Sequence, residues 1–572
     1  MQQSMKNIKY FSVIILLLSS CSEDILDLRP LDSVSESIVW EDQNLIELYV
    51  NDRYNELPHG FCKWAGGLRM TGLTDESYHM HEPKVFKYTN GEVTADNMYF
   101  YAGFWSDAYE AIRNANIFLE KINPEVGDSS RIKQLTAEVR FIRSYFYAEL
   151  ISRYNGVPII KKPFNLDDDF NVPRSGFDEV VQFIVSELDL AIPDLLSRAE
   201  ATGEDFGRVT KGAAIGLKAR TLLYAASPLF SENEDLAKWE AVADACEELF
   251  DLEEYQLSDN YSAIFLDPMN PEVIFFKQFI DQFGEVIVDK PGDYYYHYTG
   301  GHRIDEWRFP NGSGGWVSEN PLQNFVDQYE TLSGEVPVLG YTGNSDSLTP
   351  VLNPAALDYD PDHPYENRDP RLAYSVYYDG ATFKGRELQM WWTGLDSRDP
   401  NVDWWWNGSR LGYGIRKSLD ESWSYTSMVG SDQPWIYMRL AEFYLTYAEA
   451  QYHLGEEATA IEYMNRVRSR TGVNMPAIAA SGEELLERIK HERKIELAFE
   501  GNRWYDAKRW KDAETDFSRN VVGVEVIRDP DTNEKSYRYF VQQERNFPEH
   551  NYFWPIPFEE ITKSDLIQNP GY

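Results

Sequence analysis

Positive charge is scarce in this 572-residue chain, which sets 54 Lys and Arg against 94 Asp and Glu for a net charge of −40. Such a surface repels phosphate backbones and anionic lipid headgroups alike, which argues against nucleic acid and against a peripheral electrostatic grip on a membrane. Cysteine is scarcer still, with only Cys21, Cys62 and Cys246. The last two cannot make a disulfide framework or a zinc site and read as small buried hydrophobes. The sequence has no P-loop, no GxGxxG after a strand and no HExxH. His79 and His81 lie two apart with no third ligand in view and read as surface histidines. Asp358, Asp360, Asp362, Glu366 and Asp369 fall at positions 1, 3, 5, 9 and 12 of a calcium loop. His363 stands where the turn glycine belongs and Pro364 follows, so that template is broken. No metal and no cofactor is assigned. Beyond the first twenty residues no apolar run is long enough to span a bilayer.

What is present begins at the N-terminus. Lys6 and Lys9 precede the apolar run Phe11 to Leu18, and Leu18-Ser19-Ser20-Cys21 follows. Eight helical residues reach only ~12 Å, so the run is a signal segment rather than a span. The tetrapeptide resembles a bacterial lipoprotein box, which makes Cys21 the expected acylation site and places a lipid anchor there. Ser22-Glu23-Asp24 resembles the mark that sends lipoproteins to the outer face of the outer membrane. Loss of Lys6 and Lys9 with the signal leaves the mature chain at about −42.

Amphipathic helices are expected toward both ends of the remainder. Phe104, Ala108, Ala111, Ile112, Ala115, Phe118, Leu119 and Ile122 share one helical face, and Leu135, Val139, Ile142, Phe146 and Leu150 share another. Val180, Ile184, Leu188 and Ile192 form a third, with Ser175 and Asp178 placed like a capping box. Thr210 is expected to open a fourth, and Ile436 to Tyr447 a fifth that ends at Gly455. Ile436 to Arg470, 35 residues, reads as a helix–turn–helix close to the tetratricopeptide period of about 34. Pairs near 134–198 and 209–250 read as divergent copies, and stacking such pairs buries faces that none could bury alone.

From 260 to 430 the helical period fades and Gly, Pro, Asn, Asp and aromatics take over. Residues 300–435 hold nine of the sixteen tryptophans, Trp307, Trp316, Trp391 and Trp392 among them, after a tyrosine run that includes Tyr295. Sugar rings offer C–H faces that stack on flat aromatics, with hydroxyls held by polar groups, so these side chains are the expected ligand contacts. Any one of them can equally be core, and Trp404-Trp405-Trp406 must split between two faces if extended. Trp316, on the glycine-rich Asn311 to Gly315 loop, is the favoured platform. Arg410, Arg416 and Lys417 read as a local basic patch.

Seven segments, in order, resemble the SusD/RagB family of outer-membrane lipoproteins. They start with the stretch DILDLRPLDSVSESIVWEDQNLIELYVNDRYNEL, FWSDAYEAIRNANIFLEKI, AEVRFIRSYFYAELISRYNGVPII and GRVTKGAAIGLKARTLLYAASPLF. YMRLAEFYLTYAEAQYHLGEEATAIEYMNRVRSRTGV, IKHERKIELAFEGNRWYDAKRW and YFWPIPFEEITKSDLIQNPGY complete the series. The resemblance covers nearly the whole chain. It implies a mainly α fold with about four tetratricopeptide-like helix pairs and a large irregular aromatic-rich insertion. The expected organisation is a signal at 1–20, an acylated tether at 21–35, a helical region at 36–260, a ligand-binding insertion at 261–430 and a helical C-terminal region at 431–572. It further implies a glycan as ligand and, as partner, a SusC-like TonB-dependent transporter in the outer membrane, with the protein lipid-anchored and facing the exterior. The resemblance also implies that the 59–100 loop contributes to the ligand site, which makes Trp64, Arg69 and Asp75 candidates, Asp75 and Arg69 either gripping vicinal hydroxyls or pairing at the surface. Oligopeptide capture, as in the RagB branch, is the alternative. A glycoside hydrolase ranks below both, and no enzyme activity is expected.

Overall fold

The computed structural model describes residues 36–60, 70–80, 85–98, 103–279, 308–315, 317–397, 408–422 and 431–572. Helix predominates among them, and the long helices are Gln43–Glu56, Gly103–Lys121, Ser129–Tyr154, Phe177–Ala191, Lys211–Ala226, Leu236–Phe250, Leu440–His453, Glu457–Arg468 and Glu483–Glu496. Each of the helices at 103–121, 177–191 and 236–250 packs on a neighbour in sequence, as the apolar periodicity requires. Thr210 opens the Lys211 helix as expected, its hydroxyl accepting from the Ala213 N–H. Asp128 and Asp235 cap their helices in the same way. Gly455, with φ +82, follows the end of the Leu440 helix in the left-handed region that favours glycine. No helix among the described residues is long and apolar enough to cross a membrane.

Two sequence expectations fail on local grounds. The proposed capping box at Ser175 does not form, because the Ser175 N–H donates to the Val157 carbonyl and the helix starts at Phe177 behind Gly176. Residues 436–439 are not helical. Trp435–Arg439 is a strand paired antiparallel with Val273–Lys277, and the helix begins only at Leu440. Every residue of WIYMR is buried, a pattern that a one-sided helix could not produce.

The C-terminal region is also less helical than expected. Val521–Arg528 and Lys535–Gln543 form a hairpin whose second strand pairs with Ser347–Leu352, which in turn pairs with Val338–Asn344. One four-stranded sheet therefore joins the middle of the chain to its end. The main core runs from Leu57 to Ile556 through helices and sheet together, while Phe309, Val317, Tyr377, Phe383, Leu388 and Met390 belong to a smaller cluster within the middle region.

Charge as well as oil holds the middle region to the helices. Arg371, buried, donates to Asp369 at 2.7 Å and to Glu496 at 2.9 Å. Arg468 bridges Glu330 and Glu492, each at 2.7 Å, and Arg439 reaches Glu272 at 2.7 Å. Burial works to raise the Glu492 carboxyl, but Arg371 and Arg468 outweigh it and hold it at about 2. Asp369 thus faces Arg371 and caps the helix Pro370–Ser375, while Asp358 accepts from Ser333. These two ends of the broken calcium-loop template are turned to protein partners. Cys246 is buried and unpaired, as read from the sequence, and Cys62 lies outside the described residues.

Candidate functional site

One open cleft has a volume of about 810 Å³ and is shaped by three short segments. The loop 362–366 supplies Asp362, His363, Tyr365 and Glu366, the turn 378–380 supplies Tyr378 and Asp379, and the C-terminal hairpin supplies Asn533, Glu534, Lys535 and Tyr537. The Tyr365 and Tyr378 rings stack with centroids 4.2 Å apart and 21° between planes. Tyr537 meets Tyr365 edge-on at 6.2 Å. The result is a half-buried aromatic floor with polar groups around it.

That floor is fixed from behind. Tyr365 donates to Tyr413, which donates to Gln323 at 2.6 Å. Gln323 and Tyr341 both donate to Asp327, at 2.8 and 2.7 Å. Asp327 is buried with neutral groups as its hydrogen-bond donors, and burial outweighs them and the Arg368 charge to push its carboxyl up to about 6. The chain of hydrogen bonds sets the position of the Tyr365 ring, because each partner is itself held.

The two tryptophans expected from the sequence do not line the cleft, though Trp391 reaches it through Lys535. The Trp392 N–H donates to the Val526 carbonyl, which ties this segment to the C-terminal hairpin. Lys535, from that hairpin, lies 2.6 Å from Asp379 and its ammonium sits 5.0 Å from the Trp391 ring centroid. Arg528 lies 4.9 Å from the same ring. Trp391 is therefore already engaged by two cations and acts as the support of Lys535. Trp392, half exposed, is the indole open to solvent.

The remaining expected residues divide into two groups. Cys21, Trp64, Arg69, Tyr295, Trp307, Trp316 and His81 lie outside the described residues, as does Trp404-Trp405-Trp406. Asp75 is described, and it is a correction: it is buried rather than presented to a ligand or to the surface. Arg503 donates to it at 2.8 Å and Lys494 at 2.7 Å. Burial would raise its carboxyl, yet these two cations hold it well below the usual range. Its neighbour Glu76 accepts from the Phe499 N–H, and burial pushes it up to about 7. His79 is likewise buried, 3.4 Å from Glu319, and is not a surface histidine.

The expected basic patch does not form. Lys417 is buried with its ammonium on Glu500, and burial pulls its pKa down to about 8. Arg416 pairs with Glu421 at 2.7 Å beside a second cleft of about 660 Å³ that Tyr261, Phe265 and Tyr374 also line.

Sequence reasoning missed Tyr365, Tyr378, Lys535 and Tyr537. The signal for the last was present: KSYRYF alternates, which places Tyr537 and Tyr539 on one face of a strand. As a device, the larger cleft offers stacked rings and a rim of carboxylates, imidazole and amide, which suits a ligand with apolar faces and many hydroxyls.

Known proteins point the same way. Residues 271–572 match the family model described as the SusD family, and residues 26–223 match one described as starch-binding associating with outer membrane. A SusD-like protein of Formosa agariphila is 25% identical over 484 residues, covering 82% of this chain and 79% of that protein. A SusD-like protein from Bacteroides fragilis superposes with a TM-score of 0.77 at 27% identity, covering 95% of this chain and all of that one. A SusD-like carbohydrate-binding protein from the same species gives a TM-score of 0.74 at 25% identity, with 92% and 99% covered. With one family model spanning more than half its length and a fold shared almost end to end, the chain belongs to the SusD family.

Proposed function

We propose that this protein is a cell-surface glycan-binding lipoprotein, acylated at Cys21 and facing the exterior of the outer membrane. It captures an oligosaccharide and delivers it to a SusC-like TonB-dependent transporter, which supplies the energy for uptake. The observation that carries the sugar reading is the cleft floored by stacked Tyr365 and Tyr378, its rim set with Asp, Glu, Asn and His. Flat rings on a rigid support bind sugar faces at low entropic cost. Membership of a family with carbohydrate-binding relatives supports the same reading. The role is capture, not turnover, and the helices provide the surface that meets the transporter.

The test is calorimetry of the mature protein against a panel of oligosaccharides and a peptide mixture. Saturable binding to one glycan class, weakened about tenfold in Tyr378→Ala for the loss of roughly 1.4 kcal/mol of stacking, is the expected outcome. Binding to peptides alone, or release of reducing sugar, would overturn the proposal. Cells lacking the transporter should keep surface binding and lose uptake.

A further inference from the structure

The outer cleft, floored by Tyr365 and Tyr378, carries its charge unevenly. Its lining residues set four carboxylates, Asp362, Glu366, Asp379 and Glu534, against one lysine, Lys535. That lysine is spent within the protein, its ammonium 2.6 Å from buried Asp379 and 5.0 Å from the Trp391 ring centroid. Arg528 of the same hairpin is drawn to that indole as well. Glu366 has His363 beside it at 3.6 Å, an exposed imidazole that is charged only when protonated. Asp362 and Glu534 are exposed and have no ion-pair partner among the described residues.

These acids stand on both walls. Asp362 and Glu366 flank Tyr365 on one loop, and Glu534 precedes Tyr537 on the hairpin opposite. Between the walls lie the rings of Tyr365, Tyr378 and Tyr537. The hydroxyls of Tyr378 and Tyr537 take no hydrogen-bond partner among the described residues. Ring faces below and uncompensated carboxylates on two sides make a receptor for a cation that also has an apolar face. A neutral sugar meets the rings but leaves the carboxylates facing one another, whereas an ammonium relieves that repulsion. A lysine side chain brings its ammonium on a flexible stem, without the flat face that the floor takes.

We propose that the outer cleft selects an amino sugar, a glycan whose hexose rings carry free amino groups. The inference rests on the glycan reading above and names the substrate class of that same cleft. The rings hold the C–H face of the sugar, the free phenols bond its hydroxyls, and Asp362 and Glu534 hold its ammonium groups.

The test adds oligosaccharides of glucosamine and of galactosamine to the calorimetry panel. Their N-acetylated counterparts, which lack the charge, and a tetralysine peptide, which lacks the ring, are titrated beside them in mildly acidic buffer. One amino oligosaccharide should bind about tenfold more tightly than its N-acetylated form, since each exposed ion pair gives a factor of up to about five and two are offered. The preference should shrink as salt is raised. It should vanish in the double variant Asp362→Asn with Glu534→Gln, both exposed positions, while the melting temperature stays unchanged. A neutral glycan bound as tightly as any amino form overturns this inference alone and leaves the glycan reading standing. Tetralysine bound as tightly, or a preference that survives the double variant, also overturns it. Silence toward every sugar sinks the glycan reading as well.

Discussion

Glu449 is fully buried, yet its carboxylate accepts from Arg509 at 2.7 Å and from the Trp510 indole at 2.7 Å. Burial alone would raise it, but Arg509 dominates and holds it at about 2. A carboxyl depressed in the folded state contributes stability that is present above about 4.5 and is lost as pH falls through 2. Glu449→Gln should therefore destabilise by about 3–5 kcal/mol at neutral pH in urea unfolding, because Arg509 stays buried without its partner. Asp327 has the opposite sign. Its carboxyl is raised from 3.8 to about 6, so its contribution is complete below 3.8 and disappears as pH rises through 6. Asp327→Asn should flatten the pH dependence of unfolding between those two values. Neither behaviour was legible in the sequence. Periodicity marks which apolar residues turn inward, but it is silent on which of 94 acids follow them, and Asp75 was misread for that reason.

Elements announce themselves where local chemistry and tertiary packing agree. The Lys211 helix begins where Thr210 predicts, and Thr210→Ala should cost about 1 kcal/mol by thermal denaturation, since the Ala213 N–H then loses its acceptor. The strand Trp435–Arg439 was hidden because its apolar residues run on in phase with the helix that follows it, and pairing with Val273–Lys277 decides the matter. The hairpin at 521–543 was legible as alternation but was passed over in a stretch that the family resemblance marked as helical. That oversight also concealed Lys535 and Tyr537, so half of the outer cleft was unreadable without the sheet. Trp391 and Trp392 were found by composition, yet only geometry separates the indole that supports Lys535 from the one open to solvent.

At the scale of the whole molecule, acidity sets the encounter. A chain of net charge −40 slows the approach of a polyanionic glycan at low ionic strength, and the cleft itself adds Asp362, Glu366 and Glu534. Association rates for a uronate oligosaccharide should rise with salt, whereas those for a neutral one should stay flat, as read by stopped-flow fluorescence of the tryptophans. The family and the mainly helical architecture were legible because seven motifs survive in order along the chain. The position of the cleft was not, because it forms between segments more than 150 residues apart. That separation also orders events in time. The hairpin of Val338–Asn344 and Ser347–Leu352 leaves the ribosome long before Lys535–Gln543 arrives to cover its open edge. Until then it is a sticky strand waiting for its neighbour, so holdase chaperones are the factors on which the yield of this protein should depend.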